Sequence, residues 1–258
     1  MAIKSSPGGY PDRRVADVPS VAADAMRDIQ RSAQEDYGLD LLQLIENGGR
    51  AVAQIALGML GGQGRMQRVV ILAGGGNKGA TGLSAARQLT NWGLAVEVVF
   101  AEVEAEMSFA AQRQVRILRE SGVLQAAGAA YSEITLEEHL ARADLVVDAL
   151  VGYGLVGPPM GMAAAVTDLA MAAARPVLAV DVPTGVNATT GEPAPLCVRA
   201  MTTVMLDLPK RGLLQPQARP LAGELYLADL GIPRAVYESF GIRVGDLFHH
   251  GPLVHLRR

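Results

Sequence analysis

Two apolar patterns alternate along the chain. Short, mostly apolar runs, Val69–Ala73, Leu94–Phe100, Leu145–Leu150, Pro176–Val180, Thr202–Leu206 and Leu225–Leu230, predict strands, the most continuous of them buried on both faces. Between them apolar residues recur at helical spacing. One such stretch runs through Met26, Ile29 and Ala33 to a stop at Tyr37-Gly38, with Ser20 as the expected cap. Others run from Leu41 to about Leu60, over Leu83–Leu89, Ser108–Glu120, Leu136–Arg142 and Met162–Ala174, and briefly over Val236–Phe240. Strands alternating with helices predict an α/β fold on a mostly parallel sheet. Residues 1–17 read as a loose arm and 241–258 as a loosely patterned tail. No repeat or linker divides the chain, so 1–258 is expected to be one domain.

Composition narrows the function classes. Half the residues are hydrophobic but few are aromatic, and glycine is abundant at 29 residues, which suits helices packed closely on a sheet. Net charge is only -3, and without a basic stripe neither nucleic acid nor another polyanion is an expected partner. The single cysteine, Cys197, excludes an intramolecular disulfide and fits a reducing compartment. No run has the length of a membrane span or the shape of a signal peptide, so a cytoplasmic protein is expected.

The chemistry-bearing stretch follows the first strand. Gly74-Gly75-Gly76-Asn77-Lys78-Gly79-Ala80-Thr81-Gly82 joins strand to helix, the arrangement that offers first-turn amides to a phosphate, although such a loop also serves packing alone. Neither Glu97, Glu102 nor Glu104 stands where an ordinary dinucleotide fingerprint has its acid, which argues against a dehydrogenase. Asp148 and Asp181 close two later strands, on the rim where open α/β sheets bind ligands. Gly48 and Gly49 interrupt a helix and imply close approach of a ligand, a backbone or a packed helix. Arg113, Arg116 and Arg119 read as a solvated face, Pro209–Gly212 as a polar turn, and His249, His250 and His255 as surface residues without acidic company.

Taken in order, these motifs resemble the NAD(P)H-hydrate epimerase family, the YjeF N-terminal domain that includes the apolipoprotein A-I-binding proteins. Carrying the likeness are Met26-Arg27-Asp28, Glu46–Arg50, the loop Gly74–Leu83, Asp148–Leu150 with Gly152–Pro158, Asp181–Gly185 and Leu208–Leu213. The resemblance implies a Rossmann-like three-layer α/β/α sandwich with a mostly parallel central sheet. It also implies an isomerase of metabolite repair that interconverts the R and S epimers of NADHX or NADPHX, with Asp181 as acid/base. The dinucleotide would be cradled by Gly76, Asn77, Lys78, Gly79, Ala80 and Thr81 and by Gly152, Tyr153, Gly154, Leu155, Val156, Gly157 and Pro158. The nucleotide is then substrate, and no tightly bound cofactor is expected. A homodimer is expected, and, since little chain follows Leu230, a separate NAD(P)H-hydrate dehydratase.

Family members also hold potassium, partly through residues matching Lys78, Asp148 and Thr184. Lysine stands here where the family has asparagine. Its ammonium either takes the ion's place beside Asp148 or faces solvent or a phosphate. Ala80 and Thr81 replace a glycine and an aspartate, and threonine brings no carboxylate. Two other readings therefore stand beside epimerisation: a domain that binds or transforms another nucleotide or small ligand, and a noncatalytic protein-interaction module.

Overall fold

The computed structural model describes residues 8–62, 66–124, 133–154 and 157–258, with backbone only for 133–135. Its strands are β1 (Asp12–Arg14), β2 (Arg68–Ala73), β3 (Ala95–Phe100), β4 (Leu145–Ala149), β5 (Val177–Val180), β6 (Thr202–Leu206), β7 (Glu224–Ala228) and β8 (Leu253–Arg257). Among the described residues they form one sheet of order β1-β8-β7-β6-β5-β4-β2-β3, parallel except where β8 runs against β7. Six strands lie where the apolar runs predict them.

The helices are α1 (Ala23–Glu35), α2 (Leu41–Met59), α3 (Asn77–Asn91), α4 (Phe109–Glu120), α5 (Glu133–Arg142), α6 (Gly161–Ala172), α7 (Arg219–Ala222) and α8 (Arg234–Ser239). Successive residues of β2 and β4 feed two cores. Val69, Ile71 and Val147 join the core under α1 to α4, while Val70, Leu72 and Val146 join the one under α5 and α6. That alternation makes a three-layer sandwich of Rossmann type.

The structure decides several local expectations. Ser20 does not cap α1, whose flanking Ala22 supplies no side chain; instead the Ala23 amide donates to Thr189 Oγ1 across 166 residues. Of the alternatives left open for Gly48 and Gly49, close helix packing is the one seen: a Cβ on Gly49 would lie 2.4 Å from Ser84 Oγ and one on Gly48 3.1 Å from Thr81 Cγ2, so both glycines let α2 close on α3. The arm and the tail are also built into the sheet. Asp12 pairs in register with His255, and β8 is held between β1 and β7. His255 therefore has acidic company, with Nδ1 2.9 Å from Asp12 and Nε2 2.9 Å from Glu224, and its ring stacks on Tyr226. Leu253, Val254 and Leu256 are buried in this strand, although its five residues show little pattern.

The chain moves from β2 outward to β3 and then returns to β4 on the opposite side of β2. The segments leaving the carboxyl ends of β2 and β4 thus diverge, and a crevice opens between them. Topology alone places a site there.

Candidate active site

A cavity of about 530 Å³ occupies this crevice, between the glycine loop, the segment after β4, and α1 with the start of α2. Its volume lies in the range of small-molecule sites, roughly 300–1,000 Å³. On one wall stand Gly76 and Asn77, where α3 begins. Gly76 supplies no side-chain cap, so the first-turn amides of α3 are left to a ligand. Deeper in the loop glycine serves another purpose: a Cβ on Gly79 would sit 1.8 Å from the Gly74 carbonyl oxygen. Glu102, just past β3, accepts from the Gly75 amide and steadies the loop.

Asp181 lines the cavity at the end of β5. Its backbone is left-handed at φ +64°, an unusual conformation for a residue with a side chain, and its amide donates to the Val204 carbonyl at 2.7 Å. Oδ1 accepts from the Leu206 amide at 2.9 Å and from Lys210 Nζ, which also donates to the Leu206 carbonyl. Oδ2 receives no hydrogen bond among the described residues. Lys210 is completely buried, which corrects the expected polar turn. Its segment is pinned from outside by Val21, whose amide donates to Pro209 and whose carbonyl accepts from Arg211. The signal was the apolar company of Leu206, Leu208 and Leu213, which marks a buried lysine needing a carboxylate.

Tyr153 reaches over this pair. Its ring lies 5.5 Å from Lys210 Nζ and its hydroxyl donates to Gln30 Oε1 at 2.7 Å, tying the segment after β4 to α1. Burial raises the Tyr153 phenol above its usual range, and the Asp181 carboxylate adds to the rise. Gln30 and Arg27 of α1 line the same cavity; sequence reasoning missed Gln30, for which a glutamine on an amphipathic helix gives no signal.

Lys78 is 7% exposed, and its ammonium is enclosed by four oxygens: Val182 O at 2.7 Å, Asp148 Oδ2 and Val151 O at 3.1 Å each, and Thr184 Oγ1 at 3.2 Å. Asp148 is fully buried and is itself held by the amides of Leu150 and Thr184 and by the Thr184 hydroxyl. Desolvation pulls the Lys78 ammonium below its usual range, opposed by the Asp148 carboxylate.

The chain matches the family described as YjeF-related protein N-terminus over residues 41–212. It belongs to the YjeF N-terminal family. Among its relatives is an NAD(P)H-hydrate epimerase of Dehalogenimonas lykanthroporepellens, 38% identical over 226 residues that cover 88% of this chain and 87% of that one. A bifunctional NAD(P)H-hydrate repair enzyme Nnr of Moorella thermoacetica is 35% identical over 83% of this chain, which spans 41% of that longer protein. In fold, the crystal structure of the yeast protein ynu0 agrees with a TM-score of 0.80, covering 93% of this chain and all of that one at 22% identity.

Within this YjeF N-terminal domain, the residues proposed for the nucleotide divide. Gly76, Asn77, Lys78, Thr81, Gly152, Tyr153, Gly154 and Asp181 line the cavity; Gly79 and Ala80 are buried beneath the loop, and Gly157 and Pro158 are exposed away from it. Leu155 and Val156 lie outside the described residues. Thr81 turns its hydroxyl back to the Asn77 carbonyl at 3.0 Å, as a threonine inside a helix does.

A potassium ion does not fit among the residues that the family resemblance assigns to it. Asp148, Thr184 and two carbonyls already surround Lys78 Nζ. A second cation about 3 Å away would be repelled by about 5 kcal/mol at an effective dielectric of 20. Among the described residues no cluster of three or more His, Cys, Asp or Glu could hold a metal ion, and no helix is long and apolar enough to cross a membrane.

Proposed function

We propose that this domain interconverts the R and S epimers of hydrated NADH or NADPH. The observation that carries the reading is Asp181, held in a strained turn on the cavity wall with one carboxylate oxygen fixed by Lys210 and Leu206. A fixed carboxylate is what proton transfer to a bound substrate needs.

Epimerisation requires the hydroxyl of the hydrated ring carbon to leave and return on the other face. Lys210 Nζ places a proton on its hydrogen bond to Asp181 Oδ1. In the forward step that proton passes through Asp181 to the hydroxyl, the carbon–oxygen bond breaks as the ring nitrogen releases its electron pair, and water departs. Water then adds to the opposite face and gives its proton back to Asp181, so the net change is configuration alone. The amides of Gly76 and Asn77 at the start of α3 would receive the dinucleotide phosphates. Tyr153 closes one side of the pocket and excludes water from the pair.

Repair would then fall to a dehydratase acting on one epimer, and this partner activity is part of the proposal. The test is chromatographic: the rate of R-to-S interconversion of purified NADHX and NADPHX, with spontaneous epimerisation subtracted and Asp181→Asn in parallel. Acceleration by the wild type that the variant lacks supports the reading. A folded wild type that gives no acceleration overturns it in favour of another small ligand.

A further inference from the structure

We propose that the Lys78 ammonium is a built-in monovalent cation, which closes the Asp148–Thr184 cage and makes the site independent of potassium. The hydrogen-bond inventory requires the charged form. The Val151 and Val182 carbonyls can only accept, the Asp148 carboxylate accepts, and the Thr184 hydroxyl spends its proton on Asp148 Oδ1 at 2.6 Å. Four acceptors face Nζ, and a neutral amine would have to turn its lone pair toward one of them. With an ammonium at the centre, the carboxylate is neutralised and the converging carbonyl dipoles are satisfied. Without any cation the same oxygens would be buried against one another.

Position and packing agree with this role. Lys78 is the second residue of α3, where the helix dipole disfavours a positive charge, and Asp148 compensates that cost. The segment after β4 rests on the lysine stem: a Cβ on Gly152 would lie 3.4 Å from Lys78 Cβ. The ammonium thereby joins the segment carrying Val151 to the turn carrying Val182, the neighbour of Asp181. A tethered cation occupies the cage whatever the ion concentration, whereas a free ion would occupy it only by mass action.

The proposal bears on the epimerase reading, because the cage adjoins Asp181, but it is read without substrate and so can fail separately. Thermal unfolding is followed in KCl and in choline chloride of equal ionic strength, for wild type, Lys78→Asn and Lys78→Met. The wild type should unfold at the same temperature in both salts. Both variants should unfold roughly 10 °C lower in choline. Lys78→Asn, which leaves an amide oxygen and room for an ion, should recover saturably with KCl and Lys78→Met much less. Saturable stabilisation of the wild type by potassium overturns the proposal, as does a folded Lys78→Asn that gains no potassium dependence. Should Lys78→Asn not fold, wild-type crystals soaked in thallium(I) decide: thallium within the cage overturns the proposal, and its exclusion from the cage supports it.

Discussion

Lys210 donates to the same carboxylate oxygen of Asp181 that the Leu206 amide holds, so one side of the carboxylate is immobilised from two directions. Both partners are almost wholly buried, and removal of either leaves a charge without its counterpart. Lys210→Met is expected to destabilise the fold by about 3–5 kcal/mol. Combining it with Asp181→Asn should recover part of that loss, with a coupling of about 1–3 kcal/mol in denaturant unfolding. Either single variant should slow epimerisation by roughly 10²–10⁴-fold, measured by the same chromatographic assay.

Asp207 gives the fold a pH dependence. It is completely buried, Tyr237 donates to its Oδ1, and Oδ2 has no hydrogen-bond partner among the described residues; burial raises its carboxyl to about 7 despite that hydrogen bond. A carboxyl whose folded value exceeds its unfolded value of 3.8 keeps its proton better in the fold. Its contribution is therefore complete in acid and is lost as pH rises through about 7. Asp207→Asn should be more stable than wild type above neutrality, by on the order of 2–4 kcal/mol, and the difference should shrink toward acid. Urea unfolding across this range checks it. Asparagine tolerates the left-handed backbone of this position, φ +67°, so the substitution isolates the charge.

The glycine loop separates packing from ligand approach. Gly79→Ala drives a Cβ against the Gly74 carbonyl and should cost about 3 kcal/mol or more. At Gly76 a Cβ would meet open space, so Gly76→Ala should leave stability within about 0.5 kcal/mol. A methyl there would crowd the nucleotide and raise its KM about tenfold, equivalent to about 1.4 kcal/mol. Unfolding curves and steady-state kinetics on both variants make the comparison.

Residues 252–258 should be needed for a sound sheet edge. Without them β7 loses its antiparallel partner and the buried Leu225 and Leu227 come to an open strand. The shortened chain should unfold at lower temperature and associate through that edge, as shown by light scattering.

The sequence makes the fold legible where strands are buried on both faces, because a continuous, β-branched apolar run such as Val69–Ala73, bounded by a glycine turn, reads as a buried strand. Acids ending two such strands mark the rim, and Asp181 lies on the cavity wall as expected. Edge strands are different. β1 has three residues, half-covered at most, and its identity comes from Asp12 meeting His255 across the whole chain. Lys210 was hidden for a related reason: a Pro-Lys-Arg-Gly stretch has the composition of a turn, and only Asp181, 29 residues earlier, makes burial of its ammonium tolerable. For Lys78 the sequence offered two destinations. The structure brings two separate segments, 148–151 and 182–184, around it, and no local pattern records their convergence.

The pairing of β1 with β8 has a consequence for the order of events in making this protein. Asp12 and His255 are 243 residues apart, and β8 lies between β1 and the rest of the sheet. A chain emerging from the ribosome can assemble β2 to β7 as it goes, but its first strand has no docking place until the last one has left the exit tunnel. Among the described strands of this sheet β1 is thus the first synthesised and the last able to dock, and until β8 has emerged its residues must remain soluble on their own. The charged Asp12-Arg13-Arg14 meets that requirement.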